Sequence, residues 1–379
     1  MKLIHLSDLH LGKRVNEYSM LEDQEYILKK ILNIIDDEKP DGVILAGDIY
    51  DKSVPSAEAV SLFDDFLYQL ASRKLQAFVI SGNHDSPERI AFGSRIMDAG
   101  GIHMSPVYDG KIEPVTLQDG YGELNVYMLP FVKPAHVRRF FEDEKIESYT
   151  DAIKCVIDHM NIDTGKRNIL VTHQFVTGAS RTESEEVSVG GTDNVDASVF
   201  ESFDYVALGH IHRPQNCGND RIRYCGTPLK YSFSEVNDKK TVTIVELGSK
   251  GEVLYREKEL VPRRDLVELR GKYADLTLRS FYEGTTWQED YTHITLTDED
   301  DIPDAIGKLR TVYKHLMVLD YDNKRTRSGR IIEGDEDVER KSPYELFSEF
   351  YEMQNNQPVN EDQSKYLRDL IEKIWEDEA

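Results

Sequence analysis

The chain has 379 residues, with 70 acidic against 46 basic side chains and a formal charge of −24 at pH 7. That length points to two or three units with ample core, and that charge excludes a surface coated in phosphate contacts while leaving open an enzyme whose positive charge comes from a metal site, local basic loops or a partner chain. No apolar run reaches the ~18 residues that cross a bilayer, no signal-peptide leader precedes the first strand, and Cys155, Cys217 and Cys225 lack zinc spacing and read as reduced thiols of a cytoplasmic protein.

Leu3, Ile4 and Leu6 form a short apolar run that predicts a buried strand. It stops at Asp8-x-His10 and Gly12, where a turn aspartate and a surface histidine would explain the residues equally well. Residues 21–35 carry apolar side chains at helical spacing. Residues 42–46 are apolar and end at Gly47-Asp48. A second helical pattern covers 56–70, and the strand at 77–81 ends at Gly82-Asn83-His84-Asp85. A short strand is expected at 125–129. The run at 168–172 ends at His173, and that at 205–208 ends at Gly209-His210-Ile211-His212. Short alternating strands without helices follow from 222 to 247, of which 241–247 is the clearest. Strand–helix alternation followed by bare strands indicates a layered α/β fold with a mixed sheet or a two-sheet sandwich.

Pro262-Arg263-Arg264-Asp265 closes this module, so the first domain is taken as 1–261. Residues 262–322 read as a compact α+β cap, with strands at 266–269, 293–296 and 316–319 and a helix at 302–313. Residues 323–341 are charged and poor in apolar side chains, as in a linker. Their Lys324, Arg325, Arg327 and Arg330 suit either a solvated hinge or a phosphate contact. Residues 342–379 predict a helical hairpin, with stripes at Leu346, Phe347, Phe350 and Tyr351 and at Tyr366, Leu367, Leu370, Ile371, Ile374 and Trp375. Such a hairpin docks on its own domain or lays its apolar face on another protein.

Five of the 11 histidines, His10, His84, His173, His210 and His212, sit at strand ends. That clustering predicts one site assembled where open α/β sheets bind ligands. Asp8, His10, Asp48, Asn83, His173, His210 and His212 mix carboxylate, imidazole and amide without thiolate, a set that suits Mn, Fe or Zn and disfavours Ca. These exceed what one open site uses, so two ions about 3.5–4 Å apart are expected, with the carboxylate of Asp48 shared between them. Such a pair lowers the pKa of water and balances charge on a phosphoryl group. His84, beside Asn83, is free to face the substrate as general acid. Asp85 orients His84 or a neighbouring ligand. A phosphomonoesterase or cyclic-nucleotide phosphodiesterase would use the same core. A metal-stabilised scaffold would not need His84.

The ordered set D-x-H, G-D, G-N-H-D, H and G-H-x-H resembles the calcineurin-like metallophosphoesterases. By that resemblance the fold is a four-layer αββα sandwich. Asp8, His10, Asp48 and His212 would bind one metal, and Asp48, Asn83, His173 and His210 the other, with His84 assisting catalysis. L-S-D-L-H-L-G at 6–12, G-D-I-Y-D at 47–51, S-G-N-H-D at 81–85, T-H-Q-F-V at 172–176, V-A-L-G-H-I-H-R-P-Q at 206–215 and Y-S-F-S-E at 231–235 narrow the likeness to the SbcD-type nucleases of bacterial SbcCD complexes. That likeness spans nearly the whole chain. It implies two Mn2+ ions and a DNA nuclease of repair, recombination and replication, a 3'-to-5' exonuclease on double strands and an endonuclease on single strands and hairpins. It also implies an SbcC ATPase partner on the C-terminal hairpin and a homodimer through helices near the site, with the faces at 56–70 and 87–97 as candidates.

Overall fold

A computed structural model describes residues 1–185, 193–324, 326, 343–355 and 357–377, and the chain divides into two compact units, Met1–Asp265 and Leu266–Ala379. The first unit contains β1 (Lys2–Leu6), β2 (Gly42–Ala46), β3 (Gln76–Ile80), β4 (Ile102–Met104), β5 (Val115–Asp119) and β6 (Gly122–Leu129). It continues with β7 (Arg167–His173), β8 (Tyr205–Gly209), β9 (Gln215–Cys217), β10 (Asn219–Tyr224), β11 (Thr241–Leu247) and β12 (Val253–Glu259). These make two six-stranded sheets, ordered β12-β11-β1-β2-β3-β4 and β9-β10-β8-β7-β6-β5. The run β1 to β4 is parallel in the first sheet, and β10, β8, β7 and β6 are parallel in the second. Antiparallel partners close the edges. Parallel neighbours put the carboxyl ends of β1, β2 and β3 side by side, and likewise those of β7 and β8.

The sheets pack face to face. Leu3, Ile44, Phe78 and Ile80 of the first meet Val126, Ile169, Val171 and Ala207 of the second in a fully buried layer. Each of the larger side chains so buried, Ala207 apart, contributes about 1.5–3 kcal/mol. The outer layers are helical. α1 (Leu21–Glu38) buries Ile27, Leu28, Ile31 and Ile35, and α2 (Ala57–Ser72), capped by Ser56 accepting from the Ala59 N–H, buries Phe63, Phe66, Leu67 and Leu70. On the opposite side α3 (Tyr149–Asp158) sets Ile153 and Val156 in one cluster with Tyr127, Leu170 and Val206. The result is an αββα sandwich. The face at 87–97 is not one helix. It breaks into Pro87–Ile90 and Ser94–Met97 around Gly93 at φ 75°, a conformation glycine adopts without the Cβ penalty.

In the second unit β13 (Leu266–Gly271), β14 (Tyr291–Leu296) and β15 (His315–Tyr321) form a parallel sheet. Leu269, Ile294, Leu296, Leu309, Tyr313 and Leu316 make its core. The helix expected over 302–313 is shorter, α4 (Ala305–Arg310), and β-branched Thr311 and Val312 follow it. Asn323 is buried and donates to the Asp298 carbonyl at 3.2 Å, so the cap continues past 322. The rest of the predicted linker, apart from Lys324 and Thr326, lies outside the described residues. α5 (Pro343–Asn355) and α6 (Glu361–Asp377) touch each other through Tyr344 Oη and Ser364 Oγ at 2.6 Å and through Gln363 Nε2 donating to Tyr351 Oη at 2.8 Å. The side chains of Ile374 and Trp375 lie outside the described set. No described helix is long and apolar enough to cross a membrane.

Candidate active site

Every sequence-predicted ligand sits at or just beyond the end of a strand of the first unit. β1, β2 and β3 lead into Asp8 and His10, Asp48, and Asn83 to Asp85. In the second sheet β7 ends on His173, and β8 leads into His210 and His212, with Gly209 paired to His173. The chain turns sharply at these ends. Asp8, His10, Asp48 and His210 adopt φ values of 52°, 44°, 48° and 101°. Sparsely populated backbone of this kind costs on the order of 1–3 kcal/mol per residue and persists only where surrounding structure enforces it. Here the Asp8 N–H donates to the Gly47 carbonyl and the His10 N–H to the Asp48 carbonyl, both at 3.0 Å. The His210 N–H donates to Asp8 Oδ1, also at 3.0 Å. The approach is close enough that a Cβ on Gly209 would lie 1.9 Å from the Ala46 carbonyl oxygen, and one on Gly82 2.1 Å from Asp48 Oδ1.

The side chains converge on one buried cleft. His10 Nε2 faces His212 Nε2 at 3.2 Å. Asp48 Oδ2 stands 3.2 Å from His173 Nε2, 3.8 Å from His10 Nε2 and 4.0 Å from His84 Nε2. Asn83 Oδ1 lies 3.1 Å from His173 Nε2 and 3.0 Å from His210 Nδ1. Three trios, Asp8/His10/His212, His10/Asp48/His84 and Asp8/Asp48/His173, each bring their ligand atoms within 4.8 Å of one another. Asp8, His10 and Asp48 each belong to two of them, so the trios overlap in one continuous cluster. Asp85 acts on the backbone: its carboxylate accepts from the N–H groups of Ile49, Tyr50 and Gly82 at 3.0, 2.9 and 2.9 Å, tying the Asp48 turn to the Asn83 turn. His84 Nδ1 lies 3.0 Å from the Asp51 carbonyl, which fixes the ring.

The electrostatics suit a cation. Burial drives His10 well below its ordinary pKa and His210 down to about 3, so both are neutral imidazoles with a free lone pair. Burial works against the Asp48 charge, but His173 and the neighbouring imidazoles hold it ionised, well below the usual carboxylate range. Burial also disfavours the His173 imidazolium, yet Asp48, Asp8 and the Ala46 carbonyl hold its pKa up at about 9. A proton is thus held where carboxylates converge and positive charge belongs. Burial, reinforced by Asp48 in each case, raises both Asp8 and Asp85 to about 6. Nitrogen and oxygen donors without thiolate, with two imidazole nitrogens face to face and carboxylates beside them, fit divalent metal ions.

Several residues that the sequence did not single out hold this site. Gln24 Nε2 donates to the His10 carbonyl at 2.7 Å, and its Oε1 accepts from the Gly12 N–H at 3.0 Å. Tyr231 Oη donates to the Leu9 carbonyl at 2.6 Å, with its ring edge-on to His10. Ser184, Glu185, Glu235 and Lys240 gather behind His212. Tyr231 and Glu235 stand inside Y-S-F-S-E, a stretch legible as a motif though not as site support. Gln24 and Lys240 carried no signal.

Residues 1–214 match the model of the calcineurin-like phosphoesterase family, and residues 262–355 match that of the type 5 capsule protein repressor C-terminal domain. The SbcD subunit of the SbcCD nuclease from Staphylococcus epidermidis is 31% identical over 386 residues, covering 100% of both chains. Its counterpart from Staphylococcus saprophyticus is 31% identical over 384 residues, covering 100% of this chain and 99% of the relative. Metal-site geometry, family model and full-length relatives agree, and the chain belongs to the calcineurin-like phosphoesterases, in the branch of the SbcD nucleases.

Proposed function

We propose that this protein is a DNA nuclease that hydrolyses phosphodiester bonds with two divalent ions, Mn2+ in preference, as the SbcD component of an SbcCD-type complex. The observation that carries the reading is the convergence of seven nitrogen and oxygen ligands and His84 from two sheets on one cleft, in a chain whose relatives match it end to end. Asp8, His10, Asp48 and His212 would hold one ion, and Asp48, Asn83, His173 and His210 the other. Bound there, the ions supply Lewis-acid charge to the phosphoryl oxygens and lower the pKa of an attacking water. The protein's own part is positional. The turns after β1, β2 and β3 fix the carboxylates, and the neutral rings of His10 and His210 keep lone pairs inward. His84 donates from Nδ1 to the Asp51 carbonyl, so its imidazolium form would carry on Nε2 the proton for the leaving alkoxide.

Cleavage as a 3'-to-5' exonuclease on double strands and as an endonuclease on single strands and hairpins belongs to the same reading. So does an SbcC ATPase partner on the C-terminal helices, where Phe347, Phe350, Tyr366 and Leu370 are exposed. A homodimer through the region after β3 is supported by Phe92 and Ile96, exposed at 81% and 83%, and by the exposed Tyr68 of α2. The test is nicking of circular single-stranded DNA by purified protein with Mn2+. Nicking that EDTA abolishes is expected. Hydrolysis of phosphomonoesters with intact circles would replace this reading by a phosphatase.

A further inference from the structure

His212 differs from the other histidines of the cleft in what stands behind its ring. The Nδ1 of His173 meets a backbone carbonyl, Ala46 O, at 2.8 Å. His210 turns its Nδ1 toward Asn83 Oδ1. His212 Nδ1 instead lies 2.6 Å from the hydroxyl of Ser184. That hydroxyl in turn reaches Glu235 Oε1, in a side chain with no solvent exposure. The other oxygen of Glu235, Oε2, accepts from the Lys240 ammonium at 2.5 Å. Lys240 donates also to the His212 carbonyl and to Thr227 Oγ1, both at 2.8 Å. Glu185, one residue on from Ser184, accepts the His212 N–H at 2.7 Å. Two stretches, 182–185 and 231–240, therefore clasp one imidazole from behind.

Counting protons gives the direction of the chain. A carboxylate paired with an ammonium can only accept, and a serine hydroxyl carries a single hydrogen. If Ser184 donates that hydrogen to Glu235, it has only lone pairs to offer His212. The ring must then donate from Nδ1, and its lone pair is left on Nε2, the atom that faces His10 Nε2 across the cleft. A histidine that binds a metal through Nε2 needs this tautomer.

We propose that Ser184 and Glu235 are positioning residues for His212: a Glu235–Ser184–His212 relay locks the Nδ1–H tautomer and presents Nε2 as a ligand for a divalent ion in the trio with Asp8 and His10. The inference rests on the two-metal reading above. It assigns a purpose to Glu235 of the Y-S-F-S-E stretch and to Ser184 of the segment after His173. The segment that leaves one strand-end ligand thus braces another.

Two measurements on the full chain test it. In metal-free protein labelled with 15N-histidine, ring correlation spectra identify the tautomer of His212, assigned by the peak missing in His212→Gln. The wild type should show Nδ1–H. Ser184→Ala should shift His212 to a mixture or to Nε2–H, and Ser184→Thr, which keeps the hydroxyl, should restore the wild-type pattern. In calorimetric titration with Mn2+ the wild type should bind two ions. Ser184→Ala should weaken one of them by about 10–100-fold, the loss typical for removing a partner behind a ligand, and leave the other unchanged. A wild-type Nε2–H tautomer overturns the relay, as does a Ser184→Ala protein with unaltered tautomer, or one that weakens both ions alike. A wild type that takes up no Mn2+ sinks the two-metal reading instead, and the tautomer spectra alone then decide the relay.

Discussion

His84 and Asp48 divide the work at the scale of single residues. His84 has one ring nitrogen fixed on a backbone carbonyl and the other 4.0 Å from Asp48 Oδ2. Its removal leaves the turn at Asp48 intact. His84→Ala should lower turnover by about 10²–10⁴-fold, the range for a lost general acid, while elemental analysis finds the same metal content as in the wild type. Full residual activity would remove His84 from the mechanism. Asp8→Ala should lose one ion per chain, and Asp48→Ala, whose carboxylate is proposed to serve both ions, should lose both. Equal stoichiometry in the two variants would deny Asp48 its shared position. The gathering of these side chains was legible because Asp, Asn and His recurred at the ends of apolar runs, a pattern with a period of one strand. Gln24 and Lys240 were not, since a glutamine inside an amphipathic helix and a lysine before a strand look like ordinary surface residues until the fold buries them.

Strands and helices show the same contrast between local signal and tertiary consequence. The apolar runs at 42–46 and 241–247 became β2 and β11 with those bounds, because a fully buried parallel or central strand writes itself as continuous hydrophobicity. Edge strand β5 did not, as its alternating half-buried residues resemble a loop. That edge is pinned by charge. Arg167, buried at the start of β7, donates to both oxygens of Asp119 and to the carbonyls of Gly122 and Gly248. The guanidinium holds the Asp119 carboxyl below the usual range. A depressed carboxylate pKa adds stability that is full above the unfolded value of about 4 and is lost as pH falls through the lower folded value. Asp119→Asn should therefore cost about 1.5–3 kcal/mol at pH 7. In urea unfolding its gap from the wild type should begin to close below about pH 4. A gap constant down to pH 2 would mean that packing, not charge, is what the substitution disturbs.

At the scale of the molecule, a chain of −24 charge gathers its candidate cation ligands in one cleft and, among the described residues, exposes apolar side chains at several places, the region of Phe92 and Ile96 and the C-terminal helices among them. Deleting residues 342–379 should leave Mn2+-dependent nicking of circular DNA in place and abolish capture by a co-expressed ATPase partner. Retained capture would move the docking surface elsewhere. The change of periodicity near 262 lies close to the division between the two compact units, Met1–Asp265 and Leu266–Ala379. Which faces stay uncovered was not legible in the sequence, because that depends on what the rest of the fold chooses to hide. Finally, neither half of the sandwich owns the metal cleft: Asp8, His10, Asp48 and Asn83 hang from one sheet, and His173, His210 and His212 from the other. Ions held there as proposed would act as rivets through two plates. Chelation should loosen the plates and lower the melting temperature well beyond any change at the surface. Conversely, a substitution deep between them, at Phe78 or Val171 for instance, would announce itself first as a protein that no longer retains its metal.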